Sequence, residues 1–191
     1  MPVKNLPHNQ LEVLIVENLS TEEWPDTAIL IKKLQTARKR GWLTKEELIE
    51  ICYWKSPRAI WHIKSNTSPK IKSVTERAFK SRSEQIKMET LISLKGVSIP
   101  MASSILTLLH PKKYGVIDIR VWELLYQMDI MDTNKKGAGF SFNEWNSFLN
   151  ILRQYAKHFN VTARDIERTL FNIHRKYQDG NLYTSSKKIG K

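Results

Sequence analysis

Glycine and proline interrupt this chain rarely, and their scarcity is the feature that most constrains its fold. Seven residues of each type occur among 191. Between them, apolar residues recur every three or four positions, as in the stripe formed by Leu11, Leu14 and Ile15. This spacing has the period of an amphipathic helix and lacks the alternation of a strand. The sequence therefore predicts an all-α fold.

The helical pattern continues along the chain without an internal repeat. Thr44 followed by Glu47 matches a capping box at a helix N-terminus. We expect one compact helical domain over residues 1–178, as a single body or as two lobes around a cleft. The polar residues 132–139 are expected to form an exposed loop, and the basic residues 179–191 a flexible tail.

The charge of the chain indicates its class of partner. Lys and Arg number 31 against 19 Asp and Glu, which gives a net charge of +12 and a pI near 9.8. Such an excess suggests a polyanion, with nucleic acid as the first candidate. The single Cys52 excludes an intramolecular disulfide and a Cys-rich zinc module. No apolar run reaches the roughly 18 residues of a membrane span, so we expect a cytoplasmic protein without a membrane partner.

One turn between two predicted helices carries a chemical signal. Gly96 follows an apolar segment and precedes Val97-Ser-Ile-Pro100, after which an apolar helix begins. This pattern predicts a helix-hairpin-helix over about residues 83–109. Glycine lets the backbone turn tightly, and the free N–H groups that open the second helix can hold a phosphate. The alternative for Gly96 is an ordinary glycine after a helix C-terminus.

A single acidic residue stands in the loop after the hairpin. Asp118 lies within residues 110–120, directly before the predicted helix that contains Val121 and Leu124. Its position suits an N-cap, which is the structural alternative to a catalytic role. The two roles are compatible, because a capping carboxylate is held rigidly.

Together, the hairpin and the Asp segment resemble the helix-hairpin-helix and Gly/Pro-rich-loop (HhH-GPD) superfamily of DNA glycosylases. The matching positions are Leu94, Gly96, Val97, Ala102 and residues 117–121. The resemblance implies the compact multi-helix fold of that family and base excision, with Asp118 as the catalytic residue. A fixed carboxylate there would stabilise the cationic sugar or orient the attacking water.

The chain also departs from the family pattern. Ser98 replaces the second hairpin glycine and can cap the following helix, and Lys95 replaces a proline. Pro100 occupies the position of the Lys nucleophile in bifunctional members, which implies a monofunctional enzyme without lyase activity. Cys52 alone cannot supply the four thiolates of the iron–sulfur cluster that some members hold. We therefore expect no cofactor and no metal.

The remaining candidate residues contact DNA or the base. The hairpin contributes Lys95, Gly96, Val97, Ser98 and Ile99 as DNA-binding residues. The flanking cations of the same role are Lys55, Arg58, Lys112, Lys113 and Arg120. Trp54 and Trp61 flank the segment of Lys55 and Arg58, and we assign both to a base pocket. Most of the other tryptophans, at positions 24, 42, 122 and 145, are expected in the core.

The predicted function is that of a monofunctional DNA N-glycosylase that binds duplex DNA as a monomer. It would flip out a damaged or modified base and leave an abasic site, because the glycosidic bond is out of reach inside stacked duplex. The substrate would be a lesion, in DNA repair, or a hypermodified base, in defence against phage DNA. The rival is a noncatalytic helix-hairpin-helix DNA-binding protein that uses Asp118 only as a cap. A third and weaker alternative is an RNA-binding protein.

Overall fold

A computed structural model gives the arrangement of residues 3, 4 and 6–179. These described residues form helices and connecting loops, with a short 3-10 turn at Pro57–Ala59 between the fourth and fifth helices. The helices are α1 Leu11–Asn18, α2 Pro25–Lys33, α3 Gln35–Arg40, α4 Lys45–Lys55, α5 Ile60–Lys64, α6 Ser68–Lys80, α7 Glu84–Ile92, α8 Ile99–Leu109, α9 Ile119–Gln127, α10 Phe142–His158 and α11 Ala163–Tyr177. The prediction of an all-α fold is thereby confirmed for the described part of the chain. Residues 180–191 of the predicted tail lie outside it.

Helix α8 lies at the centre of the fold. Every residue from Met101 to Leu109 is buried, and α2, α3, α4 and α7 pack around it. A helix that is buried on all sides must be enclosed by other helices, and the hydroxyls of Ser103, Ser104 and Thr107 bond to carbonyls of α8 itself. The buried apolar residues of the described chain join into one core cluster, so the helices form a compact body. None of these helices is long and apolar enough to cross a membrane.

The helices begin where local sequence signals place them. The Thr44 side chain accepts a hydrogen bond from the Glu47 N–H while Glu47 bonds back to the Thr44 N–H, which confirms the capping box of α4. Ser83 caps α7 by a single bond, which its side chain accepts from the Ile86 N–H. The predicted hairpin segment 83–109 thus consists of α7, a turn at Gly96 and α8.

The loop of residues 132–139 is mostly exposed, as predicted, except at Gly137, which is buried. A Cβ on Gly137 would lie 3.1 Å from Ile119 Cγ1, and the indole N–H of the buried Trp122 donates a hydrogen bond of 3.0 Å to the Asn134 carbonyl. The expectation of an exposed loop thus holds for most of its residues, while its Asn134 carbonyl supplies the acceptor that a buried indole needs.

The turn of the hairpin leaves no space for a side chain at Gly96. Its φ is +82°, and a Cβ there would lie 2.8 Å from His62 Cβ and 3.1 Å from the Ile63 nitrogen. Gly41 has nearly the same backbone angle, with φ of +84°, yet nothing lies within 4 Å of its Cβ position. Substitutions at the two glycines therefore impose the same backbone strain, but only the one at Gly96 also causes a steric clash.

We expect Gly96→Ala to lower the free energy of unfolding by ~1–3 kcal/mol more than Gly41→Ala does. Both variants strain a left-handed backbone, but only Gly96→Ala forces α5 away from the hairpin. Urea denaturation of the two variants measures the difference. Equal losses of stability would show that the hairpin does not pack tightly on α5.

Candidate functional site

The hairpin turn is clamped by a buried side chain that lies 29 residues earlier. Asn66 is 3% exposed, its Oδ1 accepts a 3.0 Å hydrogen bond from the Lys95 N–H, and its Nδ2 donates a 2.9 Å bond to the Lys95 carbonyl. The side chains of Lys95 and Ser98 remain exposed. Ser98 is the N-cap of α8, but its side chain makes no capping hydrogen bond. The backbone of the turn is thus fixed while the start of α8 stays open to a ligand.

Asp118 is held at both of its carboxylate oxygens. Oδ1 accepts a 3.1 Å hydrogen bond from the Arg120 N–H, which makes Asp118 the N-cap of α9. Oδ2 accepts a 2.7 Å bond from Lys55 Nζ at the end of α4. The preceding Ile117 N–H donates to Ser103 Oγ of the central helix at 3.2 Å. The carboxylate therefore has one orientation in the free protein.

The surroundings of Asp118 favour its charged form. Burial alone would raise the pKa of this carboxyl, but the attraction of Lys55, its hydrogen bond and the Arg120 N–H outweigh burial. The net effect lowers the pKa below its ordinary value of 3.8. Asp118 thus remains a carboxylate at neutral pH, as charge stabilisation requires.

One side of Asp118 faces a groove of about 400 Å³, which we call the hairpin groove. The hairpin contributes Gly96, Ser98 and Pro100 to its wall, and the end of α4 contributes Lys55 and Arg58. Backbone N–H groups and cations in one groove suit contacts with a phosphate backbone, which fix position and carry no sequence information. The opposite rim is the segment of residues 137–140.

The other side of Asp118 faces a cavity of about 290 Å³, which we call the aromatic cavity. Its walls include Trp24, Trp54 and Phe171. Trp24 and Phe171 meet edge to face at 5.6 Å between ring centroids. Trp54 Nε1 donates a 2.9 Å hydrogen bond to the Thr27 hydroxyl. Aromatic walls with fixed orientation suit the stacking of a planar base.

The floor of the aromatic cavity is charged. Arg164 and Glu167 both line it and form an ion pair, although each is no more than 3% exposed. The Arg164 guanidinium lies 5.2 Å from the Trp24 ring centroid and 5.7 Å from that of Trp54. Glu23 accepts further bonds from Arg164, at 2.8 and 3.2 Å. Polar groups therefore face whatever the aromatic walls enclose.

The loop that carries Asp118 contacts this floor directly. Gly115 is buried, and a Cβ there would lie 2.8 Å from Glu167 Cβ and would also overlap the Leu152 side chain. The Arg164 N–H donates a 3.1 Å hydrogen bond to the Pro111 carbonyl. The glycine thus permits the loop and α11 to touch, which brings Glu167 close to the Asp118 segment.

Most of the predicted site residues meet at these two cavities. Asp118 and Lys55 line both of them. The hairpin groove also contains the predicted residues Arg58, Gly96 and Ser98. The aromatic cavity also contains the predicted residues Trp54 and Arg120.

Other predicted residues lie elsewhere. Trp61 is 79% exposed and lines neither cavity, because α5 packs its Ile63 side inward. Val97 is 6% exposed, so its side chain belongs to the core. Lys113 lines a separate basic cleft of about 610 Å³ near the C-terminal end of α8, and Lys112 is exposed on the same loop.

Sequence reasoning missed several residues of the aromatic cavity. Trp122 and Trp145 are fully buried as expected, but Trp24 lines the cavity instead of the core. Arg164 and Glu167 lie three positions apart on a helix, a spacing typical of a solvated charged face. The buried position of these two residues leaves no local sequence signal.

Comparisons of the chain with known proteins identify no relative. No protein-family model matches the chain, and the searches of curated proteins and of solved structures found no similar protein. Within residues 3, 4 and 6–179, His, Cys, Asp and Glu side chains form no group of three suited to hold a metal ion.

The lowered pKa of Asp118 has a measurable effect on stability. We expect the advantage of the wild type over Asp118→Asn in free energy of unfolding to be complete above about pH 5. It should shrink as the pH falls through the lowered pKa, because protonation then removes the attraction to Lys55. Urea denaturation between pH 7 and pH 2.5 measures this. A difference independent of pH would show that the ion pair does not contribute.

Proposed function

We propose that this protein is a DNA N-glycosylase of the helix-hairpin-helix type, which flips a damaged or modified base out of duplex DNA and excises it. The observation that supports this is the position of Asp118 between the hairpin groove and the aromatic cavity. The groove offers cations and turn N–H groups to the backbone, and the cavity offers aromatic walls to the base. A flipped nucleotide that spans both has its sugar next to the carboxylate.

The chemistry follows from breaking an N-glycosidic bond. As the base departs, positive charge develops at C1′ of the sugar, and a fixed negative charge nearby lowers the free energy of that transition state. Asp118 remains ionised because of its lowered pKa, and its two hydrogen bonds orient it before the substrate arrives. Water then adds to C1′ and leaves an abasic site.

The proposed enzyme is monofunctional. A lyase needs an uncharged amine to attack the sugar, and Pro100 at the start of α8 has none. The amine in contact with Asp118 is that of Lys55, which is engaged in an ion pair. We propose a monomer that acts in the cytoplasm, either on lesions or on hypermodified bases of phage DNA.

A noncatalytic helix-hairpin-helix DNA-binding protein is the second candidate. The observation in its favour is that both Asp118 oxygens already have structural partners, the Arg120 N–H and Lys55. In that case the hairpin groove would hold DNA and the aromatic cavity would have no role in chemistry. Base release separates the two candidates.

DNA binding should depend strongly on salt and weakly on sequence. Each phosphate contact contributes about −0.9 to the slope of log K against log salt, so Lys95→Gln should reduce the magnitude of that slope by about 1. The matched control is Lys157→Gln at the exposed C-terminal end of α10. Fluorescence anisotropy with a labelled duplex at several salt concentrations measures both. An unchanged slope for Lys95→Gln would remove the hairpin from the interface.

Base release should be lost in Asp118→Asn by a factor of about 100 or more, since the amide keeps the shape of the side chain without its charge. The assay follows free base from duplexes with alkylated or oxidised bases and from glucosylated or hydroxymethylated phage DNA. Asp132→Asn, a change at an exposed carboxylate, is the matched control. Base release by the wild type and the control alone supports the glycosylase, whereas no release from any duplex supports the binding protein.

The same assay tests the reaction type. The product strand should remain intact until alkali is added, and borohydride should trap no covalent adduct. An adduct that forms at the level of base release and disappears in Lys55→Ala or Lys95→Ala would overturn the monofunctional assignment.

A further inference from the structure

A second concave surface lies at the opposite end of α8 from the hairpin. It consists of the basic cleft of about 610 Å³ and an adjoining cavity of about 190 Å³. Phe79 and His110 line both cavities and join them, so we call the two together the basic furrow. The 11 residues of α8 place its two ends about 15 Å apart. The furrow shares no lining residue with the hairpin groove or the aromatic cavity.

Positive side chains surround both parts of the furrow. Those that line the basic cleft are Arg82, Lys87, Lys113 and Arg153. Those that line the adjoining cavity are Arg38, Arg40 and Lys80. Carboxylates are fewer: Glu76 and Glu84 line the furrow, and Glu47 pairs with Arg40 from outside it. The cations thus outnumber the carboxylates by four, and a concentration of like charge attracts an anionic partner.

Three of these cations have no ionic partner within residues 3, 4 and 6–179. Arg38, Arg82 and Lys113 are exposed, and none of them forms an ion pair with a described carboxylate. Arg153, in contrast, donates a 2.7 Å hydrogen bond to Glu84. The furrow therefore has engaged cations, which belong to its walls, and unpaired cations, which are available to a ligand.

The wall of the basic cleft is fixed before any ligand binds. Glu84 of α7 accepts the Arg153 bond at Oε1 and a 2.8 Å bond from the Tyr114 hydroxyl at Oε2. Arg153 Nε of α10 donates a 3.0 Å bond to the Lys113 carbonyl. Burial and the Glu84 carboxylate raise the pKa of Tyr114, so its hydroxyl remains a donor. These bonds join α7, α10 and the loop after α8 around one cleft.

The aromatic rings of the furrow lie between its two groups of cations. His110 and Phe79 line both cavities. Burial and the positive charges of Arg38, Lys113 and Lys87 lower the pKa of His110. Cations from both cavities are thus close to the same imidazole. His110 is neutral at pH 7 and offers an uncharged planar ring.

The positions of the cations and rings indicate the class of ligand. Cations along two adjoining cavities suit a chain of phosphates, because a single small anion would leave most of them unneutralised. The rings of His110 and Phe79 lie inside the furrow, where an unpaired base reaches them. A duplex hides the faces of its bases within the stack. A positively charged groove that contains aromatic side chains is typical of proteins that bind single strands.

We propose that the basic furrow binds single-stranded nucleic acid. Its phosphates contact the unpaired cations Arg38, Arg82 and Lys113, and a base packs against the rings of His110 and Phe79. This inference goes beyond the proposed glycosylase function and does not depend on base excision. It gives the protein a second binding surface, at the other end of α8 from the duplex. Contacts to phosphates and to the face of a base read no sequence, so the furrow accepts strands of any sequence.

Fluorescence anisotropy with labelled oligothymidylate and oligouridylate of about 12 nucleotides tests the furrow. The variant Arg38→Gln/Arg82→Gln/Lys113→Gln removes the three unpaired cations without breaking an ion pair. Each phosphate contact on a single strand contributes about −0.7 to the slope of log K against log salt. We therefore expect the magnitude of the slope to fall by about 2, and the affinity at low salt to fall by about 10-fold or more.

Two further variants separate charge from stacking. Lys32→Gln/Lys157→Gln/Arg175→Gln has the same net charge as the furrow variant, but its three substitutions are at exposed positions outside the furrow. It should keep the slope of the wild type. His110→Ala should weaken binding by about 5-fold or more and should leave the slope unchanged, because a neutral ring contacts a base and no phosphate.

The outcomes of this test are independent of base release. Unchanged binding by the furrow variant, or equal losses in the furrow variant and its charge-matched control, would overturn the proposal. The wild type alone provides a further test by competition. Displacement of the labelled strand by unlabelled duplex as effectively as by unlabelled strand would overturn the preference for single strands, and equal displacement by pyrophosphate would show a site for small anions instead. Tighter binding of oligothymidylate would assign the furrow to DNA, and tighter binding of oligouridylate would assign it to RNA.

Discussion

The buried ion pairs at the start of α11 hold the candidate site together. Arg164 binds Glu23 from the segment before α2, and Arg168 Nη2 donates a 2.7 Å hydrogen bond to the Ser20 carbonyl of the same segment. The Pro111 carbonyl, in the loop before Asp118, accepts a hydrogen bond from the Arg164 N–H of α11. Three distant parts of the chain thus meet at one charged turn of helix. Removing one partner would leave a buried charge uncompensated, which is far more costly than losing a surface pair.

This cluster also explains why the aromatic cavity exists. Trp24 follows Glu23 directly, and its ring lies against the Arg164 guanidinium. Phe171 lies two turns further along α11 and completes the wall. The aromatic side chains therefore have their positions because charged side chains behind them are fixed. A cavity built only from apolar contacts could close on itself, whereas this floor has a fixed geometry of donors and acceptors.

Local motifs in the sequence predict half of the site. The hairpin around Gly96 and the Asp118 segment are each contained in a short stretch, so turn chemistry and capping rules identify them. The contacts between distant residues leave no such trace. Lys55 meets Asp118 across 63 residues, and Asn66 meets Lys95 across 29. Such pairs depend on how the helices pack, which one sequence without its structure does not show.

The buried charged residues of α11 escaped the sequence analysis for a physical reason. The first turns of α11 are rich in charge, yet every residue from Ala163 to Leu170 is buried. Charged residues are rarely buried unless they are paired, so a pattern of charges predicts an exposed face. Trp61 shows the converse case. A tryptophan is expected to have a binding partner or a core position, but this one lies exposed on the outer face of α5.

Gly115 gives the site a fixed width. The loop before Asp118 rests on Glu167 and Leu152 at a distance that admits a hydrogen atom and excludes a methyl group. The approach of this loop to Glu167 on α11 is thus set by the absence of one carbon atom at Gly115. A larger residue at position 115 would overlap Leu152 and Glu167 and would push the loop away from α11. Glu167 and Asp118, which both line the aromatic cavity, would then lie farther apart.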